Sequence, residues 1–215
     1  MVRGRLPAPP VRVVEIGCGP QGGFVPMLRS FGYEVTGIDP KAPAGEDYRR
    51  VAFEEVELVQ EVDAVVASTS LHHVVNPAEV IERVANALAP GGMLVVVEWA
   101  WEEFDEATAD WCFQRLGPEE DAGWLHRRRD EWVASGQPWS VYVRNWAQRE
   151  QLHAADRLLR LLDARFAREH VSRGPYFFPD LWARRASRTN GQRSRRDRFA
   201  RPGSTMSGGC TSEAA

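Results

Sequence analysis

The residues of this chain best suited to chemistry fall in a few short segments, the first of them VRVVEIGCGPQGG at 11–23. Glu15 stands just before a Gly17-Cys18-Gly19 turn, and Gly22 and Gly23 follow. Glycines carry no Cβ, so a nucleotide-like ligand can rest on their bare backbone, and the spacing of Gly17, Gly19 and Gly22 is G-x-G-x-x-G. Asp39 lies 22 residues beyond Gly17, where an acid can accept from both hydroxyls of a ribose; the bland alternative is a turn-forming Asp before Pro40. His72 and His73 form a tandem pair, and an imidazole titrates near neutral pH and can take a proton from an acceptor hydroxyl. Glu98 could be a base or an acceptor-orienting acid. Cys18 reads as a small filler, because nothing adjacent lowers its pKa. Cys18, Cys112 and Cys210 are too few and too scattered for a disulfide framework or a zinc site.

Those segments need a scaffold that gathers them at one edge. Strand and helix patterns alternate from Val11 to Glu98, which predicts an α/β fold with a doubly wound, mostly parallel sheet. Strands are expected at Val11–Ile16, Tyr33–Ile38, weakly near Tyr48–Phe53, and at Asp63–Ala67 and Met93–Val97. A first helix is expected over Gly23–Phe31. A second is capped by Asn76, with Pro77 at its first position and Glu79 three residues on. Its apolar stripe is Val80, Ile81, Val84, Ala87 and Leu88, and Pro90-Gly91-Gly92 closes it. Residues 99–146 hold seven of the eight tryptophans and read as helices with irregular links. A further amphipathic helix is expected over Arg149–Asp163, and Phe166–Phe178 could hold one or two antiparallel edge strands. The expected organisation is a flexible leader at 1–10 and one domain at 11–183, with a core at 11–101 and a helical segment at 102–165. Residues 184–215 read as a disordered Arg/Ser/Gly-rich tail.

With 43% hydrophobic and 10% aromatic residues, 215 residues suffice for a globular domain with its own core. No apolar stretch approaches the roughly 20 residues of a membrane span, and no signal-peptide core is visible, so a reducing cytoplasm is the expected setting. Lys41 is the only lysine, which reads as codon bias of a GC-rich genome. Eight arginines fall in 183–215 against Asp197 and Glu213, leaving 19 basic and 28 acidic residues before them. That acidic body argues against a nucleic-acid partner and suits a cationic ligand better.

Four segments in order, VEIGCGPQGG, GYEVTGIDP, DAVVASTSLHHV and LAPGGMLVVVEW, carry a family likeness. Over about Val11 to Trp101 the chain resembles the class I S-adenosylmethionine-dependent methyltransferases of the small-molecule type; a dehydrogenase shares only the first two segments. The resemblance implies a Rossmann-like sheet of that class with a helical acceptor-side segment, S-adenosyl-L-methionine as cofactor, and a small-molecule methyl acceptor. It implies that Gly17 and Gly19 leave room for the methionine and ribose portion. Glu15 matches the acid that helps hold the ammonium end, often through water, unless it is merely a charge at a strand end. Asp39 takes the ribose, Phe53 or Glu54 the adenine, and the backbone of Ser68 approaches the methionine carboxylate. His72 and His73 are either bases or packing and loop-anchoring residues. Trp99 and Trp101 face the same edge as Glu98 and are either core or an aromatic wall for the sulfonium. Arg127-Arg128-Arg129 reads as a solvated helix face rather than an anion site, and no N-P-P-Y or D-P-P-Y follows strand four, which speaks against an amino-nucleobase acceptor.

Two other functions compete. An NAD(P)-binding oxidoreductase would need a hydride-relay pair such as Tyr/Lys, and Lys41 stands just after the ribose strand. A non-catalytic relative is the second, because many relatives place helices before strand one; here 102–165 would have to supply that cover. The family's sheet normally ends with two strands in hairpin order. Phe166–Val171 is the place for a sixth and Tyr176–Phe178 lies on the way to another, but no seventh is visible, so the carboxyl-terminal edge is expected to be incomplete. The tail resembles GC-rich DNA read out of frame, or else forms a solvated basic arm. Neither composition nor spacing selects among O, N, C or S acceptors, or fixes an oligomeric state.

Overall fold

Short β-branched runs, apolar on both sides, become strands covered on both faces. In the computed structural model, which describes residues 2–56, 61–117 and 123–174, there are five of them. They are β1 (Arg12–Ile16), β2 (Glu34–Ile38), β3 (Tyr48–Arg49), β4 (Val62–Ser68) and β5 (Leu88–Val97). The order is β3-β2-β1-β4-β5 and every pairing is parallel. The described helices are α1 (Val25–Ser30), α2 (Pro77–Ala87), α3 (Glu106–Phe113), α4 (Trp124–Ser135), α5 (Trp139–Arg149) and α6 (Ala155–Arg165). Alternate residues of a strand serve opposite faces. Val14, Ile16, Val65 and Ala67 pack with Val80 and Val84 of α2 and Leu158 of α6. Val13, Ala64 and Val66 pack with Val25 and Leu28 of α1 on the other. The winding reverses between β1 and β4, and that reversal opens a crevice at the carboxyl ends of the strands. This is the doubly wound, Rossmann-like α/β sheet that the alternation predicts.

Several boundaries differ from expectation for physical reasons. Pro90-Gly91-Gly92 does not end the βα unit. β5 begins at Leu88, directly after α2, and its register jumps from Val62↔Leu88 to Ala64↔Met93, so the Pro-Gly-Gly segment is a bulge inside the strand. The helix expected over Arg149–Asp163 is broken: α5 ends at Arg149, Gln151 turns the chain at φ 56°, and α6 starts at Ala155. Phe166–Val171 forms no strand, because Phe166 tucks instead against the cluster shared by α2 and α6. Tyr176–Phe178 and the tail at 184–215 lie outside the described residues. The leader packs rather than hanging free: Val2 is buried under the α1 face, and the Tyr33 hydroxyl donates to the Pro7 carbonyl at 2.9 Å. Among the described residues no helix is long and apolar enough to cross a membrane.

Candidate active site

The glycine turn after β1 sits in the crevice, and its glycines do different work. Gly17 has φ +78° and donates to the Ile38 carbonyl at 2.9 Å; a Cβ there would lie 2.3 Å from the Cβ of Ser70. A Cβ on Gly22 would lie 2.4 Å from the Tyr48 hydroxyl oxygen. Packing therefore requires a glycine at 17, whereas at 22 the atom met is the far end of the Tyr48 side chain. Gly19 differs: at φ +64° a Cβ would meet nothing within 4 Å. Its N–H donates to Oδ2 of Asp39 at 3.1 Å, while Oδ1 of Asp39 accepts from the Lys41 N–H at 2.6 Å. Asp39 is half-buried at the end of β2, so one bare stretch of backbone and one carboxylate share an open place at the sheet edge.

Glu15 faces inward. It is buried, and the N–H of Phe24 donates to both of its carboxylate oxygens, at 3.0 and 2.8 Å. A Cβ on Gly23 would lie 2.2 Å from Oε1, so the acid ties the turn to the start of α1. Holding the turn is the role that the hydrogen bonds of this structure give Glu15. Burial pushes its pKa up from 4.5 to about 7, although the N–H groups of Phe24 and Val25 pull the other way. Between those two values the folded chain binds more protons than the unfolded one, so stability falls as pH rises from about 4.5 through 7. A shift of that size corresponds to roughly 3 kcal/mol. Glu15→Gln keeps an acceptor for Phe24 and removes the charge. Its urea-unfolding free energy is expected to stay nearly flat between pH 5 and 8 while that of the native chain declines; equal slopes would refute the assignment.

The loop from β4 to α2 is built around Glu98, the residue that follows β5. Oε1 of Glu98 accepts from the N–H groups of Ser70 (2.8 Å) and Leu71 (2.6 Å), and Oε2 accepts from the Trp99 N–H at 3.3 Å. Nδ1 of His72 lies 2.5 Å from Oε2, and both side chains are buried. A carboxylate with four donors anchors this loop, and His72 is locked to it. His73 stays exposed, with its ring 4.2 Å from that of His72. Partial burial and the neighbouring His72 hold its pKa below the usual imidazole value, so it is neutral at neutral pH. Ser68 is half-buried at the end of β4. Phe53 belongs to the core cluster under α2, and Glu54 is half-buried beside it in a 3-10 turn.

Three participants escaped the sequence. Ser70 presses on Gly17 and its hydroxyl is buried with no partner. Tyr48 roofs Gly22. Arg128, expected on a solvated face, is instead buried, its guanidinium carbon 5.7 Å from the Trp124 ring centre and 5.1 Å from that of Trp146. The i,i+4 spacing of Trp124 and Arg128 was the available signal. Trp99 makes ring contacts with Trp124 and Trp146 at 5.3 and 5.5 Å, so the tryptophans form a cluster continuous with the end of β5.

A Rossmann-like sheet with an open glycine at its switch point defines a nucleotide-type binding domain, and comparison with known proteins narrows it. A family model described as a methyltransferase domain matches residues 3–173, and the chain belongs to that family. It is 30% identical over 137 residues to the ubiquinone biosynthesis O-methyltransferase of Bradyrhizobium sp. (strain ORS 278), covering 57% of this chain and 51% of that one. It is 35% identical over 99 residues to the enzyme of the same name from Dechloromonas aromatica, covering 39% and 42%. The chain spans about half the length of the curated relatives it matches. A solved S-adenosylmethionine-dependent methyltransferase from Mesorhizobium loti aligns at 29% identity over 48% of this chain and 55% of that one, with a TM-score of 0.41. Family membership weighs against the oxidoreductase alternative.

Proposed function

We propose that this chain carries out S-adenosylmethionine-dependent transfer of a methyl group to a small-molecule acceptor. The observation that carries the proposal is Gly19, the motif glycine whose Cβ position is open, beside the half-buried carboxylate of Asp39. The residues present fit an adenosyl ligand. Each oxygen of Asp39 already takes one backbone N–H, and a carboxylate oxygen has a second lone pair for a ribose hydroxyl. In this reading Glu54, half-buried in the turn after β3, would accept from an adenine amine. In this reading the backbone at Ser68 and the unpartnered hydroxyl of Ser70, beside Gly17, would take the methionine end. When bound, the cofactor supplies a methyl group already activated on a sulfonium. The protein's share is then to align donor and acceptor and exclude water, a contribution that can reach about 7–11 kcal/mol. Where the acceptor must lose a proton, His73 is the group that stays neutral and exposed to receive it. Few, scattered cysteines suit a reducing cytoplasm as the working compartment.

The test is calorimetric titration with S-adenosylhomocysteine and with NAD(P). The native chain is expected to bind the first and not the second; the reverse would overturn the proposal. Gly19→Ala is expected to weaken S-adenosylhomocysteine at least tenfold, because the new methyl enters the open place. Its unfolding free energy should fall only by the cost of a left-handed alanine, about 1–2 kcal/mol. Unchanged affinity in that variant would move the ligand away from the turn.

A further inference from the structure

Four buried side-chain polar atoms lack a hydrogen-bond partner among the described residues, and two of them are Nε and Nη1 of Arg128. The others are the hydroxyl of Ser70 and Nε1 of Trp101. Ser70 is held by Glu98, Trp101 comes three residues after Glu98, and Arg128 is one ring removed from Trp99. The orphaned donors thus cluster around the carboxyl end of β5.

A guanidinium stays charged, so its burial must be answered by something. Glu131 accepts from Nη2 of Arg128 at 2.6 Å. Its other oxygen accepts from the Tyr142 hydroxyl at 3.1 Å and lies 3.8 Å from Nη2 of Arg149. One carboxylate therefore faces two guanidiniums, and it stands on an open groove with Tyr142 and Arg149, where water screens it. The indoles of Trp124 and Trp146 attract the cation but carry no acceptor for its N–H groups. Among the described residues, what remains is one positive charge in excess of Glu131, unpaired donors on Arg128, and a wall of indoles that begins at Trp99. That combination matches a flat ring bearing an anion.

We propose that Arg128 anchors an aromatic carboxylate as the methyl acceptor, with the carboxylate on the unpaired N–H groups and the ring among Trp99, Trp124 and Trp146. The proposal rests on the methyltransferase function above and names the acceptor class of that same site. Trp124, the first residue of α4, is half-buried whereas Trp99 and Trp146 are buried, so in this proposal the ligand approaches from the Trp124 side. Trp99 follows Glu98 directly, which brings the acceptor ring beside the loop that rests on Gly17.

The probes are 2-naphthoate and its neutral counterpart 2-naphthamide, titrated into the full chain by calorimetry, with S-adenosylhomocysteine titrated in parallel. 2-Naphthoate is expected to bind at least tenfold more tightly than 2-naphthamide, and Arg128→Gln should abolish the difference without changing S-adenosylhomocysteine affinity. Should Arg128→Gln not fold, Glu131→Gln decides: removing the screened counter-charge should tighten 2-naphthoate severalfold and leave 2-naphthamide unchanged. If S-adenosylhomocysteine binds while the two naphthalenes bind alike or not at all, or Glu131→Gln leaves 2-naphthoate unimproved, the acceptor assignment falls and methyl transfer stands. If S-adenosylhomocysteine does not bind, both fall together.

Discussion

Gly17→Ala is expected to lower the unfolding free energy by about 3 kcal/mol, measured by urea titration followed by circular dichroism. Two costs combine. An alanine held at φ +78° loses about 1–2 kcal/mol relative to glycine. Its methyl would also lie 2.3 Å from the Ser70 Cβ, and forcing an extra methyl into packed surroundings costs about 1–3 kcal/mol. Ser70 cannot retreat freely, because Glu98 holds its N–H at 2.8 Å. Gly19→Ala adds the same methyl two residues away in open space, so the pair separates a packing glycine from a binding one. A loss below about 1 kcal/mol for Gly17→Ala would show that the loop yields, and the rigid-turn account would be wrong.

The second large effect is Glu98→Ala, with an expected loss of about 4 kcal/mol. It strips the acceptor from Ser70 N–H, Leu71 N–H and His72 Nδ1 together, and each buried donor left unpaired costs about 1–3 kcal/mol. With its anchor gone, the loop no longer presses Ser70 on Gly17, so S-adenosylhomocysteine affinity should fall by more than tenfold as well. Glu98→Gln should be intermediate, since the amide restores one oxygen but turns an NH2 toward other donors. The readouts are urea unfolding and calorimetry on the same samples. A stable Glu98→Ala that binds S-adenosylhomocysteine normally would return Glu98 to the list of catalytic acids.

The sheet was legible because its strands are rich in Val and Ile, and because Asn76, Pro77 and Glu79 mark the start of α2; the side chain of Asn76 does accept from the Glu79 N–H, at 3.4 Å. Asp39 was legible for a similar reason, since a strand ending in Asp-Pro leaves the acid at the sheet edge. The bonds of Glu15 were not legible, because an acid before a glycine turn reads the same in sequence whether it faces a ligand or the N–H of Phe24. Glu98 and His72 are 26 residues apart, and only the pairing of β4 with β5 brings them together. The break between α5 and α6 carries no Gly or Pro: Gln151 adopts a left-handed conformation within an otherwise helical pattern. Arg128 was lost in a run of three arginines, where charge alone points to solvent and only the rings around it say otherwise.

His153 donates from its backbone to the His72 carbonyl at 3.0 Å and from Nε2 to the Val74 carbonyl at 2.8 Å, across 79 residues in the second case. During synthesis on the ribosome, the loop beside the glycine turn can gain its first clamp when Glu98 emerges. It cannot gain the second until the link between α5 and α6 has been made. The sheet edge that would grip a ligand is thus finished late, after most of the domain has been translated, and nascent chains halted before His153 would carry it half-fastened.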